Sequence, residues 1–106
     1  MRQLGAPELQ AWLAQRHEPV TLLDVREPWE VALCRLDGSV HIPLGQLPAR
    51  LAELDPARAT VVICHHGMRS LQAGAFLERQ GFADVVNLRG GIDGWARGVD
   101  PAMAVY

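Results

Sequence analysis

Short apolar runs recur along this chain, and helical patterns separate them. Val20–Val25 (VTLLDV), Val61–Cys64 (VVIC) and Val85–Leu88 (VVNL) are nearly continuous in apolar residues, many of them β-branched. Such runs suit strands covered on both faces, because a half-wet strand would alternate with polar residues. Val40–Ile42 is a shorter run that stops at Pro43, and Arg2–Leu4 predicts an edge strand. Between the runs lie helical spacings. Pro7 suits a first helical position, and Leu9, Trp12 and Leu13 follow up to about Arg16. Glu27–Leu33 has a Pro near its start. Leu44–Leu54 carries Leu47, Leu51 and Leu54 on one stripe. Ser70–Gln80 carries Ala73, Phe76 and Leu77, with Gly81 placed as a left-handed C-terminal cap. Ile92–Arg97 is short and ends at Gly98. Strands alternating with helices predict an α/β fold, a parallel sheet with helices on both faces. Ligands of such sheets bind beyond the carboxyl ends of the strands. That rule selects the segments after Val25 and after Ile63.

Composition narrows the function classes. The 106 residues make one domain, 1–106, with 49% apolar and 21% charged residues, a globular balance. A formal net charge of −2 argues against nucleic acid as a partner. Every basic residue is Arg, so no Lys serves as nucleophile or Schiff base. No stretch reaches the roughly 20 apolar residues of a membrane helix. The first residues, MRQLGAPELQ, lack a signal-peptide pattern, so a cytoplasmic location is the expectation. Two cysteines, Cys34 and Cys64, stay reduced in that compartment.

The chemistry concentrates in Val61–Ser70 (VVICHHGMRS). A strand delivers Cys64, a short loop His65–Met68 follows, and a helix is expected to start near Arg69 or Ser70. A tight strand-to-helix loop turns successive backbone N–H groups inward as an anion nest. The helix N-terminus adds partial positive charge. Gly67 permits a backbone conformation other residues resist, and Arg69 adds a full charge. A thiol in that setting is expected to ionise near neutrality and act as a nucleophile.

Cys64-x-x-Gly67-x-Arg69-Ser70 resembles the active-site loop of the rhodanese (sulfurtransferase) family. Three further segments resemble that family's other signatures, in its order: Leu23–Glu27 (LDVRE), Gly38–Pro43 (GSVHIP) and Leu88–Trp95 (LRGGIDGW). Together they cover nearly the whole chain. The resemblance implies the compact rhodanese-like fold, a parallel sheet of about five strands with helices on both faces. It also implies that Cys64 cycles through a persulfide. Four residues separate Cys64 from Arg69. Phosphatases and arsenate reductases of the same fold have five. The smaller nest suits one sulfane sulfur better than a tetrahedral phosphate.

The implied reaction is a double displacement. Cys64 takes sulfur from a small anionic donor, thiosulfate or a persulfide, and passes it to cyanide or a thiol. His65, His66, Gly67, Met68 and Arg69 form the expected persulfide and anion cradle. Arg26 reads either as a donor contact or as half of a structural salt bridge. Asp24 reads as a loop organiser, since a buried carboxylate needs partners. Glu27 and Glu30 read as acidic residues at a helix start. Trp95 reads as a core anchor. His65 and His66 invite a metal, but adjacent loop residues rarely turn both rings to one ion and no zinc spacing follows. No metal and no cofactor are therefore expected, and the two rings are assigned to the mouth. Cys34 reads as passive. Cys34–Leu36, His41–Leu44, Val99–Pro101 and Tyr106 also resemble the rhodanese domain that ends some enzymes activating ubiquitin-like sulfur carriers. That likeness implies an alternative, a persulfide carrier serving a sulfur-accepting protein. A non-enzymatic module on the same fold is the third reading, since fold alone does not set function.

Overall fold

The computed structural model describes residues 1–106. The chain runs β1 (Arg2–Leu4), α1 (Ala6–Gln15), β2 (Val20–Asp24), α2 (Pro28–Leu33) and β3 (Val40–His41). After a region of short turns around α3 (Leu47–Arg50) come β4 (Ala59–Ile63), α4 (Met68–Arg79), β5 (Val85–Leu88) and α5 (Gly91–Gly98). The strands form one five-stranded sheet in the order β1-β5-β4-β2-β3, and every neighbouring pair is parallel. The expected strand at Arg2–Leu4 is indeed at an edge, paired only with β5.

The central strand β4 is buried at all five positions, as its apolar run requires. Its side chains alternate between two apolar layers. Val62, and Cys64 just beyond the strand, join Leu23, Leu47, Ala73, Leu77 and Phe82 on the α3–α4 side. Val61 and Ile63 join Ala6, Leu9, Val86 and Ile92 on the α1–α5 side. Trp95 packs against this second layer, as does Cys34. The cysteines thus belong to opposite layers.

Two local expectations change. Leu44–Leu54 is not one helix: a 3-10 turn (Leu44–Gln46), the single turn α3 and a second 3-10 turn (Leu51–Glu53) replace it. Pro48 lacks an N–H and is tolerated only in a first helical turn, so the helix restarts around it. The leucine stripe survives, with Leu47 and Leu54 buried. Helix α4 begins at Met68, earlier than the sequence suggested, with Gly67 as its N-cap at φ 103°. Gly81 has φ 92°, the left-handed conformation expected after that helix. No helix is long and apolar enough to cross a membrane.

The strand order sets the position of the site. The chain leaves β2 toward β3 on one side, and leaves β4 toward β5 on the other. Neighbouring connections that diverge in this way open a crevice at the carboxyl ends of the two strands. The register Asp24↔Ile63 aligns those ends. Asp24–Arg26 and Cys64 therefore emerge side by side.

Apolar side chains contribute according to their burial. Leu77 is fully buried, whereas Leu33 is 50% exposed. Leu77→Ala is expected to cost about 2–5 kcal/mol and Leu33→Ala under about 1 kcal/mol, measured by urea unfolding. Equal losses would contradict this placement of the core.

Candidate active site

Cys64 follows β4 directly, and the residue is 1% exposed. The Gly67 N–H donates to its Sγ at 3.0 Å. The Ser70 hydroxyl lies 3.2 Å from the same sulfur and donates to Asn87 Oδ1. Asn87 Nδ2 donates to the Gly67 carbonyl at 3.2 Å and to Gln3 Oε1 at 3.0 Å, which settles the orientation of its amide. The hydroxyl has one proton. While Asn87 holds it, Ser70 can only accept from an S–H. An anionic sulfur at Cys64 draws a donor from Ser70 only if that proton turns away from Asn87.

The loop is shaped from behind by α5. The Ile92 N–H donates to the Cys64 carbonyl at 2.8 Å, and the Asp93 N–H donates to the His65 carbonyl at 3.1 Å. Trans peptides then direct the N–H groups of His65 and His66 away from α5. This approach needs glycine. Gly91 has φ 64°, and a Cβ there would fall on the carbonyls of His65 and Cys64. Gly67 has φ 103°, and a Cβ there would press the Gly90 nitrogen at 3.1 Å.

The expected site residues separate in depth. Met68 is 71% exposed at the mouth, and Arg69 is partly exposed. Arg69 is not free. Its two terminal nitrogens donate to Glu30 Oε1 at 2.6 Å and Oε2 at 2.8 Å. Glu30 is buried and has further partners: the Glu27 N–H at 3.0 Å and the Tyr106 hydroxyl at 2.7 Å. The bonds from Arg69, chiefly, hold its pKa down at about 2, against the opposing cost of burial. Arg69 is shifted upward by the same bonds. The Tyr106 phenol is pushed up to about 12, mainly by burial.

Arg26 is wholly buried, away from any mouth. Burial works against its charge, but bonding to Asp24 and Tyr106 outweighs that and raises its pKa. Its Nε donates to Asp24 Oδ1 at 2.9 Å. One terminal nitrogen donates to Asp24 Oδ2 and to the Cys34 carbonyl, both at 2.7 Å. The other donates to the Glu30 carbonyl at 3.2 Å and to the Tyr106 hydroxyl at 3.0 Å. A guanidinium has five N–H groups, and all are engaged. Of its two readings, the geometry gives Arg26 the salt bridge and leaves it no donor to offer a substrate. Asp24 also accepts the Arg26 backbone N–H, as a loop organiser should.

The two loop histidines do come together. Their rings lie 3.8 Å apart, and a ligand atom of Asp93 lies within 4.8 Å of one on each. This differs from the expectation that neighbours diverge. The reason is Tyr106, whose ring stacks on His65 at 3.8 Å and 7° and sets its plane. Burial, and then the neighbouring His66, lower the His65 pKa. Asp93 is tied to Arg97 at 3.1 Å. His65 Nε2 is buried without a hydrogen-bond partner.

Glu30, Asn87, Gly91 and Tyr106 were not singled out by sequence as parts of the site. Asn87 had a signal: a polar residue within the buried run VVNL demands partners. Glu30 follows Glu27 by three residues, the capping-box spacing. Nothing local points from Tyr106 to Glu30, 76 residues away.

A family model described as the rhodanese-like domain matches residues 6–98. The chain belongs to the rhodanese family. It is 41% identical over 87 residues to a sulfurtransferase of Allochromatium vinosum, covering 82% of this chain and 81% of that one. It is 34% identical to the thiosulfate sulfurtransferase GlpE of Actinobacillus pleuropneumoniae, covering 92% and 90% of the two chains. It is 38% identical to the probable adenylyltransferase/sulfurtransferase MoeZ of Mycobacterium tuberculosis, covering 93% of this chain but 26% of that longer protein. A crystal structure of a rhodanese-like domain protein from Staphylococcus aureus superposes with a TM-score of 0.83 at 27% identity, covering 100% and 99% of the chains. This rhodanese-like chain thus stands among relatives named as sulfurtransferases.

Two outcomes test the geometry. Gly91→Ala is expected to cost more than about 3 kcal/mol, because the added methyl meets backbone carbonyls that cannot step aside. Thermal unfolding checks it, and a loss under about 1 kcal/mol would refute the close approach. The second concerns acid. The Glu30 pKa is depressed from 4.5 to about 2, so its contribution is complete above pH 4.5 and is lost as pH falls toward 2. Denaturant unfolding across that window should show a wild-type decline larger than that of Glu30→Gln by about 2 kcal/mol. Parallel acid limbs would show that the bonds to Glu30 are not made in solution.

Proposed function

We propose that this rhodanese carries sulfane sulfur as a persulfide on Cys64. The observation that supports this most is the sulfur's setting. Cys64 ends β4 at the crevice, takes an N–H from Gly67 at 3.0 Å, and has the Ser70 hydroxyl 3.2 Å away. A thiolate there attacks the outer sulfur of thiosulfate. An S–S bond to Cys64 forms, and the donor's S–S bond breaks with its electron pair leaving on sulfite. Cyanide or a thiol then attacks the outer sulfur and Cys64 leaves as thiolate. The cradle of His65, His66, Gly67, Met68 and Arg69 supplies backbone N–H groups to the anionic persulfide. Glu30 takes two of Arg69's five N–H groups, so Arg69 contributes through the remaining three. The four-residue loop from Cys64 to Arg69 argues for one sulfur over a phosphate. The two free cysteines suit a reducing cytoplasm, the location we propose.

A carrier role toward a protein acceptor is the second reading. The likeness to one segment of an adenylyltransferase/sulfurtransferase supports it, as do exposed Met68 and Trp29 next to the Arg69–Glu30 pair in sequence. A carrier would hold a stable persulfide, turn over slowly with cyanide and discharge to a protein thiol.

Intact-mass measurement after incubating reduced protein with thiosulfate tests the proposal. A gain of about 32 Da, one sulfur, is expected, lost on adding cyanide and absent in Cys64→Ser. A gain that persists in Cys64→Ser, or no gain with either thiosulfate or a persulfide donor, would reject it.

A further inference from the structure

Arg69 is the cation expected to receive an anionic donor, yet its charge is answered within the protein. Glu30 faces it in a two-bond pair, at 2.6 and 2.8 Å. This carboxylate cannot easily swing away. Its four acceptor positions are filled by two Arg69 nitrogens, the Glu27 N–H and the Tyr106 hydroxyl. Tyr106 is in turn held by Arg26, whose other N–H groups lock onto Asp24 and two carbonyls. Asp24, Arg26, Glu30 and Arg69 sum to no net charge. The remaining attraction for an anion comes from backbone N–H groups, the start of α4 and the three N–H groups that Glu30 leaves on Arg69, all partial charges with no net charge behind them.

We infer that Glu30 is a specificity-determining residue, which cancels the charge of Arg69 and biases the Cys64 site toward sulfur donors of low charge over dianionic thiosulfate. The inference rests on the sulfurtransfer reading above. Its physics is simple. Attack of a Cys64 thiolate on thiosulfate gathers three negative charges, and attack on an organic thiosulfonate gathers two. Both reactions balance alike: the new S–S bond forms at Cys64, and sulfite or sulfinate leaves with the electron pair of the bond broken. A site with no net positive charge feels the difference; a free arginine would offset it. Glu30 touches no reacting atom, so it acts by holding Arg69.

Two donors that differ by one charge test this. Thiosulfate and benzenethiosulfonate are compared by kcat/KM, with cyanide as acceptor, in the wild type, Glu30→Gln and Glu30→Asp. Leaving-group differences are common to all three proteins, so the shift in the donor ratio is diagnostic. Glu30→Gln should raise thiosulfate use about tenfold and thiosulfonate use about threefold, since the freed charge acts on each unit of donor charge. Glu30→Asp keeps the negative charge and should keep the wild-type ratio within about twofold. A purely structural Glu30 would move both donors together. A ratio unchanged in Glu30→Gln, or moved equally in both variants, overturns the inference.

The wild type alone provides a second test, which stands even if Glu30→Gln does not fold. With the cation cancelled, kcat/KM for thiosulfate should stay level or rise between about 0.02 and 0.5 M salt, because screening weakens only repulsion. A fall of more than about threefold would show a free attracting charge and overturn the inference. Absence of a Cys64 persulfide with both donors is a different failure. It removes the sulfurtransfer reading itself, and this inference with it.

Discussion

Arg26 is a full positive charge with no exposure, and much of the molecule is arranged around it. Its five N–H groups draw together the end of β2 through Asp24, the body of α2 through the Glu30 carbonyl, the end of that helix through Cys34, and the tail through Tyr106. A buried guanidinium left with one empty N–H would cost more than that contact could return. The partners must therefore all arrive together. Replacing such a cluster by apolar side chains often leaves stability unchanged or raised. What apolar packing cannot supply is direction. Each N–H demands an oxygen at one angle, and four segments are oriented at once.

The same network reaches the reacting loop without touching the sulfur. Tyr106 accepts from Arg26, donates to Glu30 and lays its ring on His65. Glu30 then sets Arg69. On the far side, the first turn of α5 takes the carbonyls of Cys64 and His65, and Asn87 takes the carbonyl of Gly67. The loop is thus gripped by carbonyls from behind and by charge from the front. The N–H groups between are the ones left over, and these suit an anion. The backbone donors of such a cradle need no rearrangement when charge appears on sulfur.

How much of this was legible in the sequence depended on whether the cause was local. The runs around Val61 and Val85 signalled buried parallel strands because both faces of β4 and β5 are covered. Cys64, Gly67 and Arg69 were legible because one short loop contains them all. The leucine spacing of Leu44–Leu54 predicts one helix, and it carries no sign that Pro48, with no N–H, restarts the turn. Arg26 stood open between two readings. Burial decided it, and burial at the end of β2 depends on α2 and Tyr106 together. The pairing of Arg69 with Glu30 spans 39 residues, and that of Tyr106 with Glu30 spans 76. No window along the chain contains such partners. Asn87 is intermediate: its polarity in a buried run announced a partner without naming Ser70.

Ser70 links structure to chemistry through a single proton. With Asn87 as acceptor, its hydroxyl belongs to the scaffold and Cys64 is served by the Gly67 N–H. Turned toward sulfur, it becomes a second donor to an anion, and Asn87 Oδ1 loses a bond inside a buried site. The cost of that loss is set by burial, and the gain is set by the charge on sulfur. A neutral thiol offers too little to turn the hydroxyl, whereas a thiolate or persulfide anion competes directly with the amide. The orientation of the hydroxyl is therefore coupled to Asn87, and through it to Gln3 and the carbonyl of Gly67. The coupling follows from one hydroxyl having one proton and two acceptors within reach.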